Sequence, residues 1–119
     1  MNEKIRKRVY ERDHGRCWHC GTDENVTIHH RINRGMGGSG KLDMPSNLVV
    51  MCGAFNMAME SELKAWRVAK EMGWKVSRHG IASEVPIRDY RGNLFLLDDA
   101  FRIWSLDVDR EDGGGFTQE

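Results

Sequence analysis

Two adjacent imidazoles, His29 and His30, end a short apolar run and are the side chains of this sequence best placed to do chemistry. Around them in sequence stand a Cys-x-x-Cys pair (Cys17, Cys20), the carboxamide of Asn47, and Cys52 followed by Asn56. One ring of such a pair can ligate a divalent cation while the other takes a proton, since an unperturbed imidazole titrates near ~6.5. We expect His29 to be the ligand, with the Asn56 carboxamide oxygen as a second ligand, and His30 to be the general base. Oxygen ligands and few protein contacts suit an ion that keeps several waters, as Mg²⁺ does. Asn47 is expected to hold the neighbouring loop, or the His30 ring, in its working pose. One ion and one base together suit phosphodiester hydrolysis. The imidazole deprotonates water, and the ion neutralises charge on the phosphate and the departing oxygen.

Positioning these groups is the task of the surrounding elements. Val26-Thr-Ile28-His29-His30 is rich in β-branched residues and predicts a strand. Successive strand side chains point to opposite faces, so the two histidines share a site only if the strand ends, twists or bulges near Arg31. Leu48-Val-Val-Met51 predicts a second extended run. Between the strands lies a glycine-rich loop carrying Arg31, Arg34 and Lys41. Its uncovered amides and cationic side chains suit contact with a phosphate backbone, although without the histidines it would read as a connector. A helix is expected over 56–72, with Met59, Leu63 and Trp66 on one stripe and Gly73 at the stop.

Outside this unit, residues 3–12 predict a helix with Ile5 and Val9 on one face. Trp74-Lys-Val76, Val85-Pro-Ile87, Leu94-Phe-Leu-Leu97 and residues 101–106 read as further short strands, with Arg91-Gly92-Asn93 as a turn. Trp66, Trp74 and Trp104 are expected in the core, being too widely spaced for a base-stacking platform.

The thiols pose a separate question. Two Cys-x-x-Cys knuckles make a closed tetrahedral zinc site, and this chain has one and a half: Cys17-Trp-His-Cys20, then Cys52-Gly-Ala-Phe55. Phenylalanine stands where a fourth thiolate belongs. Either a histidine (His14 or His19) or water completes a zinc site on Cys17, Cys20 and Cys52, or the thiols are core residues beside Phe55. Less than a full equivalent of zinc is the expectation. A redox role for Cys17 needs a βαβ context that the sequence does not offer.

A length of 119 residues suits one domain, expected over 1–110 with its core at 5–75, a β extension over 74–108 and a flexible tail from 111 to 119. Hydrophobic residues at 39% and charged residues at 30% place the chain among globular proteins rather than disordered ones. No apolar run reaches membrane-span length, and the charged start is not a signal peptide, so the expected compartment is a cytoplasm. Net charge is zero, yet residues 1–41 hold nine Lys/Arg against five Asp/Glu, and residues 98–119 hold seven acids against two arginines. A basic front beside the histidines suits a phosphate substrate.

Taken together, Arg12-Asp-His-Gly15-x-Cys17-x-x-Cys20, Ile28-His29-His30-Arg31, Arg34-Gly-Met-Gly-Gly38, Asn47-Leu-Val-Val-Met-Cys52 and Asn56-Met-Ala-Met-Glu60 resemble the HNH endonucleases of the ββα-metal superfamily. In particular, they resemble the small HNH proteins of bacteriophages. The resemblance implies an α+β fold with a ββα-metal core, an N-terminal helix and a cysteine knuckle. It implies that His29 binds the catalytic metal (Mg²⁺ or Mn²⁺), that His30 activates water and that Asn47 supports the loop. Asn56 falls where the family usually has a histidine, and the same substitution occurs in phage resolving endonucleases. DNA is the implied substrate, and phage packaging (terminase) proteins are the implied partners. A catalytically inactive DNA- or protein-binding module on the same scaffold is the alternative.

Overall fold

A computed structural model describes residues 1–33 and 40–107, apart from the side chain of Lys41. Helix α1 (Glu3–Arg12) starts on Asn2, whose side-chain oxygen accepts a hydrogen bond from the Ile5 backbone N–H. Strand β1 (Val26–His30) pairs antiparallel with β2 (Leu48–Cys52), in a register that sets His29 opposite Val49 and His30 opposite Leu48. Helix α2 (Gly53–Ser61) follows β2 without a loop, and its N-cap is Cys52. Helix α3 (Leu63–Met72) comes next, then a three-stranded antiparallel sheet of β3 (Ile87–Arg88), β4 (Leu94–Leu97) and β5 (Ile103–Ser105). The fold is α+β, with three helices and two small sheets among the described residues.

The β1–β2 hairpin separates two cores. Ile28, Leu48 and Val50 face α1 and pack with Val9. Val49, Met51 and Cys52 pack on the other side with Met59 of α2, Ala69 of α3, Cys17, Trp18, Trp74, Ile87 and Leu97. Strand alternation therefore assigns the side chain of His30 to the α1 side and that of His29 to the α2 side.

Several expectations are corrected. The single helix over 56–72 is two, broken at Glu62, whose backbone is extended (φ −124°, ψ 123°). The hydroxyl of Ser61 turns back to donate to the Met57 carbonyl at 3.0 Å, the kind of side-chain bond that competes with helix propagation. The break re-aims α3, so that Ala65 and Ala69 are buried while Leu63 and Trp66 are exposed. Trp104 is exposed as well, and of the three tryptophans expected inside only Trp74 is buried. Residues 74–76 form no strand. They leave α3 through Gly73, where φ is 83° and a Cβ would fall 2.1 Å from the Pro86 carbonyl oxygen. Only glycine fits there.

Two buried arginines tie these parts together. Arg12 pairs with Asp13 at 2.7 Å and donates to the carbonyls of Pro45 (2.8 Å) and Leu48, while Asp13 accepts from the Val50 N–H at 3.0 Å. The end of α1 is thereby fixed to β2 and the turn before it. Arg31 acts in the same way at the end of β1. Its guanidinium donates to the carbonyls of Gly73 (2.8 Å), Ser46 (2.9 Å), Ala82 (3.0 Å) and Val85 (2.8 Å). Burial, and then the charge of Arg12, lowers the Arg31 pKa to about 9, so it stays charged at neutral pH. Contact between Arg31 and a phosphate backbone is thus corrected: the side chain is fully buried and its donors are engaged. Arg34, the Lys41 side chain and the tail at 111–119, for which phosphate contact and flexibility are expected, lie outside the described residues.

Candidate functional site

Three thiols and an imidazole meet where the knuckle abuts the start of α2. One ligand atom from each of Cys17, His19, Cys20 and Cys52 lies within 4.8 Å of the others, a group able to hold a metal ion. The elements explain the convergence. Gly21 N–H donates to the Cys17 carbonyl at 2.8 Å, folding residues 17–21 into a tight turn. The Trp18 N–H, bonded to the Val50 carbonyl at 3.1 Å, lays that turn against β2, which ends at Cys52. Backbone N–H groups point at two of the sulfurs, from His19 to Cys17 Sγ at 3.2 Å and from Phe55 to Cys52 Sγ at 3.4 Å. Such donors stabilise a ligating thiolate. Without an ion, burial pushes the Cys17 thiol up to about 11, so it stays protonated at neutral pH.

Phe55 has a different part from the thiolate it stands in for. Its ring stacks on His19 at 3.8 Å between centroids and 9° between planes, and Trp74 packs edge-on against both rings. Of the two histidines the sequence offered, His14 and His19, it is His19, inside the Cys-x-x-Cys turn, that lies in the cluster with the three thiols.

A second polar cluster lies on the α2 side of the hairpin. The His29 ring is 3% exposed and its Nε2 is 2.8 Å from the Trp74 carbonyl oxygen. That oxygen can only accept, so Nε2 carries the proton and the Nδ1 lone pair of the neutral ring is left available. The side chains of Lys75, Glu60 and Asn56 lie close enough to act on this ring electrostatically. Asn56 of α2 is thus among the groups near the His29 ring. Burial pushes the His29 pKa down to about 4, with the Lys75 charge acting the same way and the Trp74 carbonyl, Glu60 and Asn56 opposing.

A pH dependence follows. Unfolded, this imidazole takes a proton near ~6.5; folded, it resists protonation until about 4. Between those values the unfolded chain binds more protons, so stability falls as pH drops through this window and levels off below it. The loss should be on the order of 3 kcal/mol. Denaturant titrations at pH 7 and pH 4.5 should show it in the wild type and show less of it in His29→Asn. The same slope in both proteins would remove His29 as its source.

His30 is placed apart from that cluster. It ends β1 with its side chain 19% exposed, and its Nε2 is 2.8 Å from Asp43 Oδ1. The structure does not bring His30 to His29 and Asn56: they occupy opposite faces of β1. Asn47 is a brace. Its Oδ1 accepts from the Ile32 N–H at 2.7 Å, and its Nδ2 donates to the carbonyls of Ile32 (3.2 Å) and Leu42 (2.8 Å). It clamps both ends of the loop after His30 and touches neither imidazole through these bonds. Sequence reasoning missed Glu60, Lys75 and Asp43. Glu60 alone carried a signal, one helical turn beyond Asn56. A cleft beside the knuckle, lined by residues including His14, Arg16, Asp89, Tyr90 and Arg91, takes in neither histidine of β1. Among the described residues, no helix is long and apolar enough to cross a membrane. Comparisons with protein-family models, with curated proteins and with solved structures give no match to this chain.

Proposed function

We propose that this chain is a metal-dependent DNA endonuclease or nickase built on a ββα-metal core of the HNH kind. The observation that carries the reading is the junction of His29 on β1 with Asn56 on α2, in a strand–strand–helix unit without intervening loop between β2 and α2. His29 and Asn56 would hold a divalent cation, Mg²⁺ or Mn²⁺, and the residues fit it: one neutral imidazole with a free lone pair and its other nitrogen anchored, plus a carboxamide. A bound cation supplies charge neutralisation at the phosphate and the departing oxygen. His30, oriented by Asp43, accepts the proton of the attacking water at the open end of β1. Asn47 is a positioning residue that fixes the loop entering and leaving the site. The substrate approaches His30 from the α1 side of β1. Because the two imidazoles leave β1 on opposite faces, the phosphate must straddle the strand end. Phage packaging proteins are the partners this reading suggests for targeting.

Relaxation of supercoiled plasmid by the purified protein, with Mg²⁺ or Mn²⁺ and then with chelator, tests the activity. Metal-dependent nicking is expected. The burial of His29 and the separation of the imidazoles favour a second reading, a non-catalytic DNA- or protein-binding module, and absence of nicking at any metal concentration would favour it instead.

For the knuckle we propose a structural zinc held by Cys17, His19, Cys20 and Cys52. Soft thiolates with one imidazole are a zinc donor set, and all four protein positions are filled, which is the closed form of such sites. Elemental analysis should give one zinc per chain, reversing the expectation drawn from Phe55 alone. His19→Ala should lower zinc retention during dialysis against a mild chelator and lower the melting temperature by several degrees. Zinc-free wild-type protein with an unchanged melting temperature would rule the site out.

A further inference from the structure

Beside His29 sits a cation that belongs to the protein. The Lys75 side chain is 6% exposed, yet its ammonium is not deep among aliphatic groups: it lies 2.7 Å from Glu60 Oε2 and 3.1 Å from Asn33 Oδ1. Glu60 is on α2, four residues after Asn56 and on the same helical face, and Asn33 follows β1 at the entrance to the loop. Lys75 is fixed from below by its backbone N–H to the Ala69 carbonyl at 3.1 Å, and its neighbour Trp74 supplies the carbonyl that anchors His29. Lys75 and Glu60 both act on the His29 ring. The four side chains His29, Asn56, Glu60 and Lys75 therefore form one cluster, with a positive charge already inside it.

We propose that the Lys75 ammonium is the resident cation of this site, and that a divalent ion entering between His29 and Asn56 displaces it and takes the Glu60 carboxylate as a further ligand. The inference rests on the metal role proposed for His29. Coulomb repulsion argues for displacement, because a dication and an ammonium cannot share the same carboxylate at close range without strong mutual opposition. Ligand chemistry argues for Glu60, since a hard dication prefers a carboxylate to a site of neutral donors alone. Lys75 has somewhere to go: its long stem can turn the ammonium toward solvent while staying packed, and Glu60 lies at the exposed edge of the cluster. Metal-free burial of His29 then has a cause, a protein cation bridging α2 to the loop next to the ring.

The test is titration of the zinc-loaded protein with Mn²⁺, following the free-ion electron paramagnetic resonance signal at neutral pH. Lys75→Met and Lys75→Gln should each bind Mn²⁺ at least about tenfold more tightly than wild type, and Glu60→Gln about tenfold more weakly, in the range found for groups that support a metal site. The glutamine variant keeps a hydrogen-bonding side chain without the charge, so it reads competition even if the methionine variant folds poorly. Unchanged or weaker binding in both Lys75 variants overturns the displacement, and unchanged binding in Glu60→Gln overturns its role as a ligand. His29→Ala separates the two proposals. If it binds Mn²⁺ like wild type, the metal role of His29 fails; if it loses binding while the Lys75 and Glu60 variants match wild type, only this inference fails.

Discussion

Arg31→Met should destabilise the protein by about 3–5 kcal/mol, measured as a fall in the denaturant midpoint at an unchanged slope. The replacement is apolar and of similar length, so packing is largely kept and the loss is polar. Four carbonyls, of Ser46, Gly73, Ala82 and Val85, would lose a charged donor, three of them in buried bonds. Arg31→Lys should recover little of the loss, because one ammonium cannot reach four acceptors arrayed around a planar fork. The damage should spread to the site. Gly73 adjoins Trp74, whose carbonyl anchors His29, and Ser46 adjoins Asn47, the clamp of the loop. A change below about 1 kcal/mol in Arg31→Met would mean that these bonds are not what joins the segment at 73–85 to the hairpin.

His30→Ala should slow single-turnover plasmid nicking by about 10²–10⁴-fold while leaving Mn²⁺ affinity unchanged, the signature of a lost general base. The separation of effects follows from the two faces of β1. His30 bonds to Asp43 on the α1 side, and the His29 cluster with Asn56, Glu60 and Lys75 lies on the α2 side. Removing one ring should therefore leave the other's partners in place. His29→Ala should do the opposite, losing metal affinity first. If His30→Ala lost metal binding, the roles assigned to the two rings would have to be exchanged.

How far the sequence could be read depended on whether local pattern or distant contact decides each feature. The strands at 26–30 and 48–51 and the helix at 3–12 were legible because β-branched runs and a 3.6-residue apolar period are local signals. That Asn56 falls near His29 was legible from element order, since β2 pairs with β1 and runs directly into α2. The break at Glu62 was not, because no glycine or proline marks it; a serine bonding backward does. Leu63 and Trp66 were consequently assigned to the wrong face. Arg31 was misjudged for a related reason. A basic residue at the start of a glycine-rich loop looks like a phosphate contact until the carbonyls of residues 73–85, over forty positions later, arrive around it. His19 was within reach as one of several alternatives, but only the folded turn brings its ring among the thiols and onto Phe55.

The central claim is that His29 ligates a divalent cation, and its most direct measurement is the nitrogen hyperfine coupling of Mn²⁺ bound to the zinc-loaded protein, read by pulsed electron paramagnetic resonance. One imidazole nitrogen should couple to the ion in the wild type and in His30→Ala, and the coupling should vanish in His29→Ala. Bound Mn²⁺ with no coupled nitrogen, or a coupling that survives His29→Ala, would contradict the account.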